Sequence, residues 1–124
     1  MQLSEKVMDH FRNPRNQGKI KNADAEAQAV SSHCGDSTTI YLKVKKDKDG
    51  FQYISDIGFE TMGCGAAVAS ASVTTELAKN KKIEEALKIS VDDVAKELEG
   101  LPLPKIHCGQ LAVEALHKAI KQIS

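Results

Sequence analysis

The sequence predicts an α+β fold: a small antiparallel β-sheet of about three strands packed against several helices, including an N-terminal helix and a long C-terminal one. Three observations carry this reading. Residues 38–46 alternate apolar and polar side chains and pass through Asp47-Lys48-Asp49-Gly50 into a second strand-like run, the pattern of a hairpin. Residues 109–123 repeat apolar side chains at helical spacing. The strands precede most of the helices instead of alternating with them, which argues against a doubly wound parallel sheet.

In chain order, Leu3 to Phe11 reads as a helix with Ser4 as cap and Leu3, Val7, Met8 and Phe11 as its apolar stripe. Asn13-Pro14 stops it, because a residue before proline avoids helical angles. Asp24 to Ser32 is an Ala-rich strand candidate. In the hairpin, Ile40, Leu42 and Val44 face inward on the first strand, and Phe51, Tyr53, Ile57 and Phe59 share one parity on the return. Gly58 marks a bulge or bend there. Ala66 to Asn80 is helical with almost no bulk before Val73, so a neighbouring backbone or ligand can approach closely. Ile83 to Leu87 is a short helix. Ser90 caps Val91 to Leu98, with Asp92 and Asp93 where the helix dipole favours acids. Gly109 to Ile123 buries Leu111, Ala112, Ala115, Leu116, Ala119, Ile120 and Ile123, and turns Glu114, His117, Lys118, Lys121 and Gln122 to water.

A chain of 124 residues suffices for one domain, 1–124, with its own core. Lys+Arg and Asp+Glu both number 17, and this absence of net charge argues against nucleic-acid or membrane partners. Aromatic residues, at 4%, are too few for base-stacking platforms. No apolar run reaches the roughly 20 residues that span a bilayer. The amphipathic, charged N-terminus has no signal-peptide core, so the expected location is cytoplasmic. There, three cysteines point to metal-bound or reactive thiols in place of a disulfide framework.

Each cysteine precedes a glycine: Cys34-Gly35, Cys64-Gly65 and Cys108-Gly109. Glycine permits the tight turns and close backbone approach that a metal or sulfide needs. Cys64 and Cys108 fall at expected helix starts, where the dipole favours thiolate. No Cys-x-x-Cys pair occurs, so the pattern is not that of a zinc finger, and buried structural cysteines fit it equally well. Asp36, His107 and His33 are the candidate fourth ligands; His33 also reads as solvated, as do His10 and His117. Three thiolates with one oxygen or nitrogen donor suit tetrahedral Zn²⁺ or an iron–sulfur cluster. A thiol enzyme with Cys108 as nucleophile and His107 as base is disfavoured, because neighbours at a helix start rarely face each other and no third orienting residue is evident.

Cys-Gly-Asp at 34–36, Gly-Cys-Gly-Ala-Ala-Val-Ala-Ser-Ala-Ser at 63–72, Leu-Pro-Leu-Pro-Lys-Ile-His-Cys at 101–108 and Asp-His-Phe-Arg-Asn-Pro-Arg-Asn at 9–16 resemble the iron–sulfur cluster assembly scaffold family, of the IscU and NifU N-terminal type. The resemblance covers essentially the whole chain. It implies a scaffold, not an enzyme, on which clusters, 2Fe–2S foremost, are assembled from iron and desulfurase-derived sulfur and passed to acceptor apoproteins. Cys34, Cys64 and Cys108 would ligate the cluster, Asp36 would keep it labile, His107 would be an alternative or additional ligand, and Cys108 would accept sulfur. Zn²⁺ would bind at the same site. The implied partners are a cysteine desulfurase, an Hsp70-type chaperone with its co-chaperone, and the acceptors. The family's chaperone-recognition motif, Leu-Pro-Pro-Val-Lys, stands here as Leu101-Pro102-Leu103-Pro104-Lys105, with one proline displaced. The 44-residue step from Cys64 to Cys108 leaves no room for the insertion of the SufU branch.

Overall fold

A computed structural model describes residues 4–31, 35–100 and 106–123. Its elements run α1 (Glu5–Arg12), β1 (Ala25–Val30), β2 (Ser37–Lys46), β3 (Gln52–Met62), α2 (Gly65–Ala78), α3 (Ile83–Ala86), α4 (Val91–Glu97) and α5 (Ile106–Lys121). The three strands form one antiparallel sheet in the order β1-β2-β3. The α+β expectation holds, and the Ala-rich segment is a true strand. β1 buries Ala25, Ala27 and Ala29 in alternation, and these small side chains let α5 lie close against it.

The hairpin departs from the simple alternation. Lys43 pairs with Asp56 but Val44 pairs with Ile54, so Ser55 is an extra residue on β3. This bulge switches the inward parity. Ile57 and Phe59 are buried on one side of it and Ile54 on the other, while Phe51 is half exposed and Tyr53 only partly buried. The shared parity expected for Phe51 and Tyr53 is therefore wrong. Gly58 is not the bulge. It lets the 16–20 segment cross close to β3: a side chain there would run into the Gly18 carbonyl oxygen and reach the Ile20 side chain at 3.2 Å. Opposite Gly58, Tyr41 is buried on the outer face and donates to Glu60 Oε1 at 2.7 Å. Burial, then the Glu60 carboxylate, pushes its phenol up to about 12.

Other segments bond to both sheet edges, along β3 and at one residue of β1. Along β3, Gly18 N–H donates to the Phe59 carbonyl at 2.7 Å and Phe59 N–H to the Asn16 carbonyl at 3.1 Å. Farther along, Asn80 N–H donates to the Ile54 carbonyl at 2.8 Å and Ile54 N–H to the Lys81 carbonyl at 2.9 Å. On β1, the Gln122 carboxamide acts as a one-residue strand, accepting from Glu26 N–H at 3.2 Å and donating to the Glu26 carbonyl at 2.7 Å.

α2 packs against the sheet, α1, α4 and α5, and ten of its fourteen residues are buried, which is why it carries so little bulk and no single polar face. Its hydroxyls hold the N-terminal segment. Ser72 Oγ accepts from Arg15 N–H at 2.9 Å and lies 2.8 Å from His10 Nδ1, and Asn16 Nδ2 donates to Thr75 Oγ1 at 3.1 Å. His10, expected in solvent, is thus buried, whereas Phe11, expected in the stripe, is 46% exposed. The buried face of α1 follows Val7 to His10, three residues on. Ser4 caps α1, accepting from Val7 N–H at 3.1 Å, and its hydroxyl donates to the Leu98 carbonyl. Ser90 caps α4 through a reciprocal bond with Asp93. Among the described residues, no helix is long and apolar enough to cross a membrane.

Gly58→Ala should lower stability by roughly 1–3 kcal/mol, since backbone must give way; chemical denaturation measures it, and an unchanged midpoint would contradict the packing. His10 provides a second test. Burial, then the nearby Arg15 charge, lowers its pKa below 6.5, against the smaller opposing pull of Glu76 and Asp9. Its stabilisation is therefore complete above pH 6.5, where folded and unfolded rings are both neutral. It falls as pH drops through 6.5, because the unfolded chain protonates first, with a slope of at most about 1.4 kcal/mol per pH unit. Melting temperature should decline toward pH 5.5 more steeply in the wild-type protein than in His10→Gln.

Candidate metal and sulfur site

Strand register builds the site. Val30, Ser37 and Met62 are aligned across the three strands, so the β1–β2 connection and the β3–α2 junction leave the sheet at the same end. The first delivers Asp36 and the second Cys64. Ser31 N–H donates to the Asp36 carbonyl at 2.8 Å and Gly35 N–H to the Ser31 carbonyl at 3.2 Å, closing the connection on itself. α5 completes the site. It runs from Ile106, not Gly109, so His107 and Cys108 lie within its first turn.

The ligand atoms of Asp36, His107 and Cys108 all lie within 4.8 Å of one another. Cys64 joins through Cys108, with the two sulfurs 3.9 Å apart. Cys108 is fully buried and Cys64 partly so. Ala66 and Ala67, on the first turn of α2, cluster with Cys108 and Cys64. Both α2 and α5 start without an acidic residue in the first turn. Two positive helix ends therefore meet at the site, which favours thiolates, a carboxylate or sulfide there.

Gly63 has a role that the sequence reading missed, although it stood in the quoted motif. A side chain on it would lie 3.0 Å from the Asp36 carboxyl and 3.0 Å from Ala67 Cβ. Its bare backbone makes the room in which Asp36 reaches inward. The signal available was glycine on both sides of Cys64.

The expectation that His107 and Cys108 would not face each other fails. Nε2 and Sγ are 3.6 Å apart, and Asp36 is a third group beside them. A Cys-His-Asp set is also the inventory of a thiol hydrolase, and here its thiol is fully buried. His117 lies apart from the site. Expected in water, it is partly buried, and its Nε2 is enclosed without a hydrogen-bond partner among the described residues. Cys34, His33 and the Leu101, Pro102, Leu103, Pro104, Lys105 segment lie outside the described residues.

Fold and site together define a small α+β protein in which carboxylate, imidazole and thiol donors that could hold a metal ion meet between a loop and two helix starts. Residues 2–124 match the family model of the NifU-like N-terminal domain, and the chain belongs to that family. It is 54% identical over 117 residues to the iron–sulfur cluster assembly scaffold protein IscU 1 of Archaeoglobus fulgidus, covering 94% of this chain and 73% of that one. With the scaffold protein IscU of Escherichia coli it shares 44% over 123 residues, 97% and 92% of the two chains. Among solved structures, a candidate scaffold protein for the SUF system from Fervidobacterium islandicum superposes with a TM-score of 0.74 at 26% identity, over 94% and 95% of the two chains. An N-terminal NifU-like protein from Brucella abortus has the same fold, with a TM-score of 0.75 at 23% identity over 96% and 92%.

Gly63→Ala should push the Asp36 carboxylate off its position and weaken Zn²⁺ binding by about tenfold, as the loss of a supporting contact typically does. Competition with a chromogenic chelator measures this, and unchanged affinity would mean that Asp36 is not aimed at the metal.

Proposed function

We propose that residues 1–124 act as one scaffold domain on which iron–sulfur clusters are assembled from iron and desulfurase-derived sulfur and handed to acceptor apoproteins. The observation that carries this reading is the meeting of Cys64, Cys108, His107 and Asp36 at one end of the sheet. The family membership and the names of its relatives support it. The cluster, 2Fe–2S foremost, is cargo. Cys34, Cys64 and Cys108 supply thiolates, Cys108 also takes the incoming sulfur, and Asp36 or His107 completes the set. A permanent electron carrier uses four cysteines; a harder, replaceable oxygen or nitrogen donor makes release easier. The protein binds and delivers without catalytic turnover, in the cytoplasm. Its partners are a cysteine desulfurase, acceptor proteins and, through Leu101 to Lys105, an Hsp70-type chaperone with its co-chaperone. Zn²⁺ fits the same donors.

A purely structural zinc role is less well supported. Among the described residues, the main apolar core, from Val7 through Phe59 to Ile120, includes no cysteine, unlike a zinc finger, whose fold is built around its metal ligands.

Anaerobic addition of iron and cysteine with an active desulfurase is the test. It should give a visible charge-transfer spectrum that Cys64→Ser lacks and that decays several-fold more slowly in Asp36→Ala. No chromophore in the wild-type chain would overturn the scaffold reading.

A further inference from the structure

Cys64 and Cys108 are neighbours of each other as well as of a metal. Their sulfurs stand 3.9 Å apart, close to van der Waals contact. Cys64 is the N-cap residue of α2 and is partly exposed. Cys108 is buried beside it. Closing the gap to the roughly 2.05 Å of a disulfide needs side-chain rotation and small shifts at a strand–helix junction and a helix start.

We propose that Cys64 is the resolving thiol that frees sulfide from sulfur carried on Cys108. This rests on the reading of Cys108 as sulfur acceptor. A persulfide on Cys108 consists of its own Sγ and one terminal sulfur. The Cys64 thiolate attacks Cys108 Sγ, and a Cys64–Cys108 disulfide bond forms. The bond to the terminal sulfur breaks, and its electron pair leaves with that sulfur as hydrosulfide. The terminal sulfur is reduced to sulfide while the two cysteine sulfurs are oxidised to a disulfide, so the step needs no outside redox partner. A dithiol reductant then reopens the disulfide by exchange and returns both thiols for iron. The same pair thus works first as a sulfide-releasing couple and then as ligands, and a Cys64 already bound to metal cannot resolve.

The test first charges an immobilised cysteine desulfurase with cysteine, washes the free cysteine away, and then lets the enzyme load the chain anaerobically, without iron or small thiols. After removal of the desulfurase, released sulfide and the intact and peptide masses are followed. The wild-type chain should release roughly one sulfide per persulfide and end two hydrogens lighter, with Cys64 and Cys108 in one cross-linked peptide. Cys64→Ser should keep one extra sulfur on Cys108 and release sulfide at least about tenfold more slowly. If the wild-type chain also keeps the extra sulfur, the proposal falls while Cys108 remains an acceptor. If neither chain gains sulfur nor releases sulfide, the acceptor reading itself falls. If Cys64→Ser still releases sulfide and only Cys34→Ser stops it, Cys34 is the attacking thiol and the proposal is overturned. The wild-type arm, cross-link against retained sulfur, decides the matter even where a variant folds poorly.

Discussion

A helix with almost no exposed face cannot carry large side chains on all sides, and α2 is such a helix. It is surrounded by the sheet, α1, α4 and α5, and its alanines, serines and threonines are buried nearly all round. Interiors pack at crystal-like density, so the diameter of this helix sets how closely its neighbours approach. That spacing has a consequence at each end of the molecule. At the N-terminal end of α2, Ala66 and Ala67 leave room for the Cys108 sulfur to lie against Cys64. Toward its other end, Ser72 and Thr75 supply the only kind of group that can stay buried beside small residues and still hold a passing chain, a hydroxyl with partners on offer.

The N-terminal segment depends on those hydroxyls. α1 is 8 residues long, too short to be stable alone. It is anchored by one buried valine and a polar hub in which Ser72 serves both Arg15 N–H and His10 Nδ1. A neutral imidazole with its proton on Nε2 fits both of its contacts, with Ser72 on one side and Glu76 Oε1 at 3.5 Å on the other. Arg15 in turn bonds Asp9 at 2.7 Å and holds that carboxyl below its usual range. The same segment runs on to close the open edge of β3 through Asn16 and Gly18. It also lays the Phe11 ring over Gly65, next to Cys64. A loop that reads as a simple helix stop thus seals a sheet edge and borders the site.

What was legible in the sequence follows from which forces act locally. Caps and periodicity are local, so Ser4, Ser90 and the α5 stripe were readable. The bulge at Ser55 was not, because Ile54 and Ile57 can both face inward only once an unpaired residue is allowed between them, and pairing is a tertiary property. His10 was misjudged for a related reason. A histidine on the apolar side of a short helix is acceptable only if another element brings a hydroxyl, and Ser72 is 62 residues away. For the site, the cysteines and Asp36 announced themselves by residue type and glycine context, but their 30- and 44-residue separations said nothing about convergence. Strand register and the crossing of α2 with α5 bring Asp36, Cys64 and Cys108 together.

The resulting site combines two opposed electrostatic tendencies. The meeting of two helix starts without first-turn acids draws anionic ligands in. Thiolates held 3.9 Å apart, with a carboxylate beside them, would repel one another. A thiophilic cation held by these donors would relieve such repulsion. Gly63 places Asp36 close enough to take part in that balance, and the donor it contributes is the hardest of the group. A competing soft ligand from an acceptor can displace this oxygen more readily than a thiolate. Under the proposed role the first bond to yield is then the one to Asp36, while Cys108 lies buried against Ala66 and Ala67.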